Sequence, residues 1–72
     1  MRILKCFWAG YLVAIYTGVN LQEQKEKLAE LEHEIKTGVM KYSVNGSTFV
    51  LTELCVDIIE DNKLVAMHNF KR

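Results

Sequence analysis

Seventy-two residues of 8.3 kDa, half of them hydrophobic, with nine basic and nine acidic side chains, exclude both a compositionally disordered chain and a polybasic nucleic-acid binder. A chain of this length buries only about 60% of its unfolded surface. Domains with so thin a core draw on a disulfide, a metal or a partner subunit, and two cysteines and two histidines supply little toward the first two. Proline is absent, so Pro-rich linkers are excluded as well, and residues 1–72 read as one small domain.

The first element is the uncharged run CFWAGYLVAIYTGV, Cys6 to Val19. Phe7, Trp8, Tyr11, Val13, Ile15, Tyr16 and Thr17 favour the pleated surface of a sheet, and Ala9-Gly10 stands midway where a tight turn joins two strands. The expectation over residues 1–19 is therefore an apolar strand pair. The alternative is a membrane segment over residues 3–19, with Lys5 snorkelling and Trp8 and Tyr16 as interfacial anchors. A cleaved signal is disfavoured, because cutting after Gly18 sets Tyr16, and cutting after Ala14 sets Leu12, where a small residue is needed.

From Asn20 the pattern turns helical. Asn20 with Glu23 forms a variant capping box and Gly38 suits a left-handed C-terminal cap, which predicts a helix over residues 20–37. Leu21, Leu28, Leu31 and Ile35 make a narrow apolar seam, with Gln24 at its remaining position. That seam packs on the sheet or pairs with another copy of the chain. Glu26, Glu30 and Glu34 line the far side, a solvated face or an acidic ridge for a basic partner.

Residues 39–51, VMKYSVNGSTFVL, predict a hairpin turning at Asn45-Gly46, with Met40, Tyr42 and Val44 on one face and Val39, Lys41 and Ser43 on the other. Residues 52–61 predict a short helix capped by Thr52. Leu54, Cys55, Ile58 and Ile59 then fall on one face and Glu53, Asp57, Glu60 and Asp61 on the other. The alternation of Leu64, Ala66, His68 and Phe70 against Val65, Met67 and Asn69 predicts a terminal strand over 63–72. The fold class that follows is α+β, a small two-layer domain. A mainly antiparallel sheet of N-terminal strand pair, hairpin and C-terminal strand is covered by one long amphipathic helix and one short helix.

The stretch LAELEHEIKTGVMKYSVNGSTFVLTEL resembles the helix, Thr-Gly, hairpin, helix arrangement of small phage head-to-tail joining proteins, over about Leu28 to Ile59. The resemblance implies a phage or viral origin. The apolar start departs from that family's polar first helix, and no site residue is carried across.

No constellation carries chemistry. Cys6, Cys55, His33 and His68 lack the two-to-five-residue spacing of a zinc knuckle or finger, and reduced core thiols are the expected state of both cysteines. Cys55 lies among Glu53, Asp57 and Glu60, which oppose a thiolate, and no glycine-rich phosphate loop is present. Arg2, Lys5, Lys41, Lys63, Lys71 and Arg72 are the basic residues that would converge on a nucleic acid, against which the acidic helices and a pI near 6.7 argue. The reading is a non-enzymatic protein-protein interaction module without cofactor or metal. It is an accessory subunit or small inhibitor that binds a larger protein or self-associates, in the cytoplasm unless residues 3–19 anchor it. The partner-binding candidates are Trp8, Tyr11 and Tyr16 as aromatic anchors, Leu21, Leu28, Leu31 and Ile35 of the seam, and Glu26, Glu30 and Glu34 of the ridge.

Overall fold

The computed structural model describes residues 1–72. In chain order the elements are β1 (Arg2–Trp8), β2 (Tyr11–Val19), α1 (Leu21–Thr37), β3 (Lys41–Val44), β4 (Ser47–Val50), β5 (Glu53–Glu60) and β6 (Lys63–Lys71). Four strands form one antiparallel sheet in the order β2-β1-β5-β6, and β3 with β4 forms a separate two-stranded sheet.

Residues 1–19 hold the β1–β2 pair, and the uncharged run from Cys6 supplies the end of β1, the turn at Ala9-Gly10 and all of β2. No helix is long and apolar enough to cross a membrane. The turns at Ala9-Gly10, Asn45-Gly46 and Asp61-Asn62 hold both residues at positive φ, the backbone that matches the twist of two paired strands.

Helix α1 keeps the predicted bounds and caps. Asn20 Oδ1 accepts from the Glu23 N–H at 2.8 Å, and Glu23 Oε1 accepts from the Asn20 N–H at 3.1 Å. Gly38 ends the helix at φ 74, where a Cβ would also meet the Arg72 guanidinium at 3.2 Å.

The structure departs from the sequence expectation in two places. The β3–β4 hairpin forms a sheet of its own and does not join the strand pair and the terminal strand, because β5 takes the position between β1 and β6. One element also changes type. Residues 53–60 are the strand β5 and not a short helix, so the structure has one helix. The closing helix of the phage-protein resemblance is absent with it. Leu54, Cys55, Ile58 and Ile59 satisfy a helical stripe, but they equally fit a central strand apolar on both faces, and pairing to β1 on one side and β6 on the other selects the strand.

The core lies between the sheet and the layer of α1 and the β3–β4 hairpin. Its eight buried residues are Leu4 and Cys6 of β1, Leu54, Val56 and Ile58 of β5, Leu31 and Ile35 of α1, and Leu51. Met40 and Tyr42 of the hairpin pack on the same cluster. Arg2 ties the sheet to the helix start, its guanidinium 2.8 Å from Glu60 and donating to Gln24 Oε1 at 3.1 Å.

Candidate protein-binding surface

The face of the sheet turned away from α1 has nothing on it. Alternation along β1 sends Leu4 and Cys6 into the core and leaves Ile3, Lys5 and Phe7 on the outer face, half-buried by their sheet neighbours. Along β5, Leu54, Val56 and Ile58 point inward, while Cys55, Asp57 and Ile59 are outer and only partly buried. Cross-strand partners share a face, so the register places Ile15 and Thr17 of β2 and Met67 of β6 on the outer side too.

Two bulges enlarge this face. The β1–β2 register passes from Cys6↔Ala14 to Phe7↔Leu12 and skips Val13; the β5–β6 register passes from Ile58↔Ala66 to Ile59↔Leu64 and skips Val65. Each extra residue reverses the phase of its strand. Leu12 and Leu64, which strict alternation would place with Ala14 and Ala66 against the core, are turned outward. Leu12 is 47% exposed, Ile15 47%, Leu64 55% and Met67 57%. Gly18, at φ 68, marks a third bulge between Arg2↔Val19 and Ile3↔Thr17.

At the centre of the apolar face stands one pair of opposite charges. Lys5 and Asp57 are direct register partners on β1 and β5, flanked by Ile15 on β2 and Met67 on β6. The chain's ion pairs join other residues, namely Met1 with Asp61, Arg2 with Glu60, Lys27 with Glu30, and Lys36 with Glu32. Asp57 Oδ1 instead accepts a long bond from the Cys55 thiol at 3.8 Å. Burial first, and then the Asp57 carboxylate, push the Cys55 thiol above its ordinary pKa, which opposes a nucleophilic role.

The aromatic candidates separate. Trp8 and Tyr11 come together at one end of the sheet, stacked with centroids 6.3 Å apart, and Tyr42 and Phe49 of the hairpin join them at 5.3 to 6.2 Å. These rings bridge the two sheets. Tyr16 sits apart, half-buried beneath the Lys27 ammonium at 4.6 Å from its ring centroid.

The seam also divides. Leu31 and Ile35 are in the core and Leu28 packs against it, whereas Leu21 is 61% exposed at the helix start. On the ridge Glu26 accepts from Gln22, Glu30 pairs with Lys27 at 3.3 Å, and Glu34 is half-buried. An open cleft of about 360 Å³ lies where β1 stops short of the ends of β5 and β6, lined in part by Phe7, Trp8, Cys55, Phe70, Glu53 and Lys71. No three His, Cys, Asp or Glu side chains converge to hold a metal.

No family model, curated protein or solved structure matches the chain significantly. The outer sheet face was not among the predicted sites. Its signal was nonetheless present in ILKCFW, where both alternating faces, Ile3 and Phe7 as well as Leu4, Cys6 and Trp8, are largely apolar.

Proposed function

We propose that this chain is a non-enzymatic protein-interaction module whose docking surface is the outer face of the four-stranded sheet. The observation that carries this is the uncovered apolar field around Leu12, Ile15, Leu64 and Met67, two of whose members are turned outward by bulges in the edge strands. Monomers rarely leave a large apolar patch bare, and such patches mark association sites. Sheets are stable when both faces are covered or one is polar, and this sheet has neither arrangement by itself. The role that fits is an accessory subunit or small inhibitor that completes its core by docking or by self-association. A reducing, cytoplasmic setting suits its two unpaired cysteines.

The test compares the wild-type chain with the double variant Leu12→Glu, Met67→Glu. Size exclusion with light scattering is combined with binding of anilinonaphthalene sulfonate, which reports exposed apolar surface. The wild type is expected to run larger than 8.3 kDa or to bind the dye, and the variant to do neither while keeping its circular dichroism. A wild type of 8.3 kDa that ignores the dye sinks the reading.

A further inference from the structure

We infer that the occupant of the outer sheet face is a second copy of this chain, stacked face to face about a two-fold axis that runs along the strands between β1 and β5. This rests on the docking surface proposed above and names its partner.

Charge selects the second copy and the axis together. The outer face carries its central charges as one cation and one anion side by side, Lys5 on β1 and Asp57 on β5, the two inner strands of the sheet. A two-fold along the strands lays each β1 over the β5 of the other copy. Lys5 then faces the second copy's Asp57, and Asp57 faces its Lys5. The four charges alternate in sign around a square, each flanked by an opposite charge in its own sheet and another across the interface. A two-fold running across the strands through the same row would set Lys5 on Lys5. Buried charges are tolerated only when paired, so the first axis is retained and the second excluded. An unrelated apolar partner would desolvate both charges and bring no counter-charge across the interface.

Most of the apolar residues follow the same symmetry. Ile3 meets Ile59, Ile15 meets Met67 and Phe7 meets Cys55 of the other copy, while on the edge strands Leu12 meets Asn69 and Leu64 meets Thr17, because each pair occupies equivalent rows of strands that the axis exchanges. Two twisted sheets pack in this aligned manner with strands about 30° apart and faces about 10 Å apart. Four strands about 4.8 Å apart and about seven residues long span roughly 430 Å² in plan. With side-chain relief counted, this is of the order of the ~800 Å² that each partner gives to a standard stable interface.

The experiment is a charge-exchange cycle on the full chain, read by light scattering coupled to size exclusion and by circular dichroism. The wild type is expected at twice 8.3 kDa. Lys5→Asp and Asp57→Lys each place like charges opposite one another at two symmetric points, so each raises the dissociation constant by about 100-fold or more. Mixed in equal amounts the two variants become complementary at both points, and the dimer returns. Should either fail to fold, Met67→Lys on the edge strand is the second probe, and it too is expected to give monomers.

Dimers that persist through all three substitutions, or folded single variants that stay monomeric when mixed, overturn the proposal. A monomeric wild type overturns it as well, and the dye separates the two levels of failure. If the wild-type monomer binds anilinonaphthalene sulfonate and Leu12→Glu, Met67→Glu does not, the docking face stands and its occupant is another protein. If the wild-type monomer does not bind it, both fall.

Discussion

Arg72 shows how a single side chain joins elements distant in sequence. Its Nε–H donates to the Ile35 carbonyl at 3.2 Å and its Nη2 to the Leu51 carbonyl at 3.1 Å. One guanidinium thus adds a donor to a carbonyl in the last turn of α1 that also accepts from the Gly38 N–H at 3.4 Å, and satisfies one in the loop before β5. It also places positive charge at the helix C-terminus, where the macrodipole favours it. Cys6 is the other residue with a measurable consequence. It is fully enclosed between sheet and helix, and burial, opposed by the Lys27 ammonium, pushes its thiol up to about 11 from the ordinary 9.0. Below pH 9.0 the thiol is protonated in both the folded and the unfolded chain and contributes no pH dependence. Between 9.0 and about 11 the unfolded chain releases a proton that the folded one keeps. Stability therefore falls as pH rises through this window, with a slope approaching about 1.4 kcal/mol per unit from this group. Urea midpoints of the wild type and Cys6→Ala at about pH 8 and about pH 10.5 should show the smaller drop in the variant.

Among the elements, β5 is the one whose character depends on its neighbours. Its sequence ELCVDIIE satisfies a helical stripe through Leu54, Cys55, Ile58 and Ile59, and Thr52 offers a cap. The β-branched Val56, Ile58 and Ile59 suit a strand better, and strands pair with it on both sides, β6 over Glu53–Glu60 and β1 over Cys55–Glu60. Val56 discriminates between the two conformations. In the strand it is fully buried, so Val56→Ala should cost about 2 kcal/mol of unfolding free energy through lost transfer energy and a residual cavity. A helix over 53–60 would set Val56 at the edge of its apolar stripe and lose only about 0.5 kcal/mol. The urea midpoint at unchanged m-value reads the difference.

For the whole molecule the controlling fact is a core of eight residues under one face of a sheet that is apolar on both. Stacking two copies would convert two thin cores into a three-interface sandwich, with helix layers outside and the two sheets within. Folding would then be linked to association, so Tm should rise with protein concentration for the wild type and stay constant for Lys5→Asp. A scan over a hundredfold range of concentration checks this. Much of this architecture is legible in local chemistry. The capping box at Asn20, the left-handed cap at Gly38, the turns at Ala9-Gly10 and Asn45-Gly46, and the alternation of the last strand each depend on residues within a few positions of one another. The bare apolar face is not legible in the same way. Leu12 and Leu64 reach it only because Val13 and Val65 are bulged, and a bulge is set by the register with the neighbouring strand. Lys5 and Asp57 become a pair only because β1 and β5, about fifty residues apart, lie side by side. By itself, then, the sequence determined the long helix, its caps, the hairpins and an α+β class, because those rest on short-range sterics and hydrogen bonds. The tertiary structure alone decided that residues 53–60 are a strand, that Leu31 and Ile35 are core, and which face of the sheet stays bare, because each follows from long-range strand pairing and not from local preference.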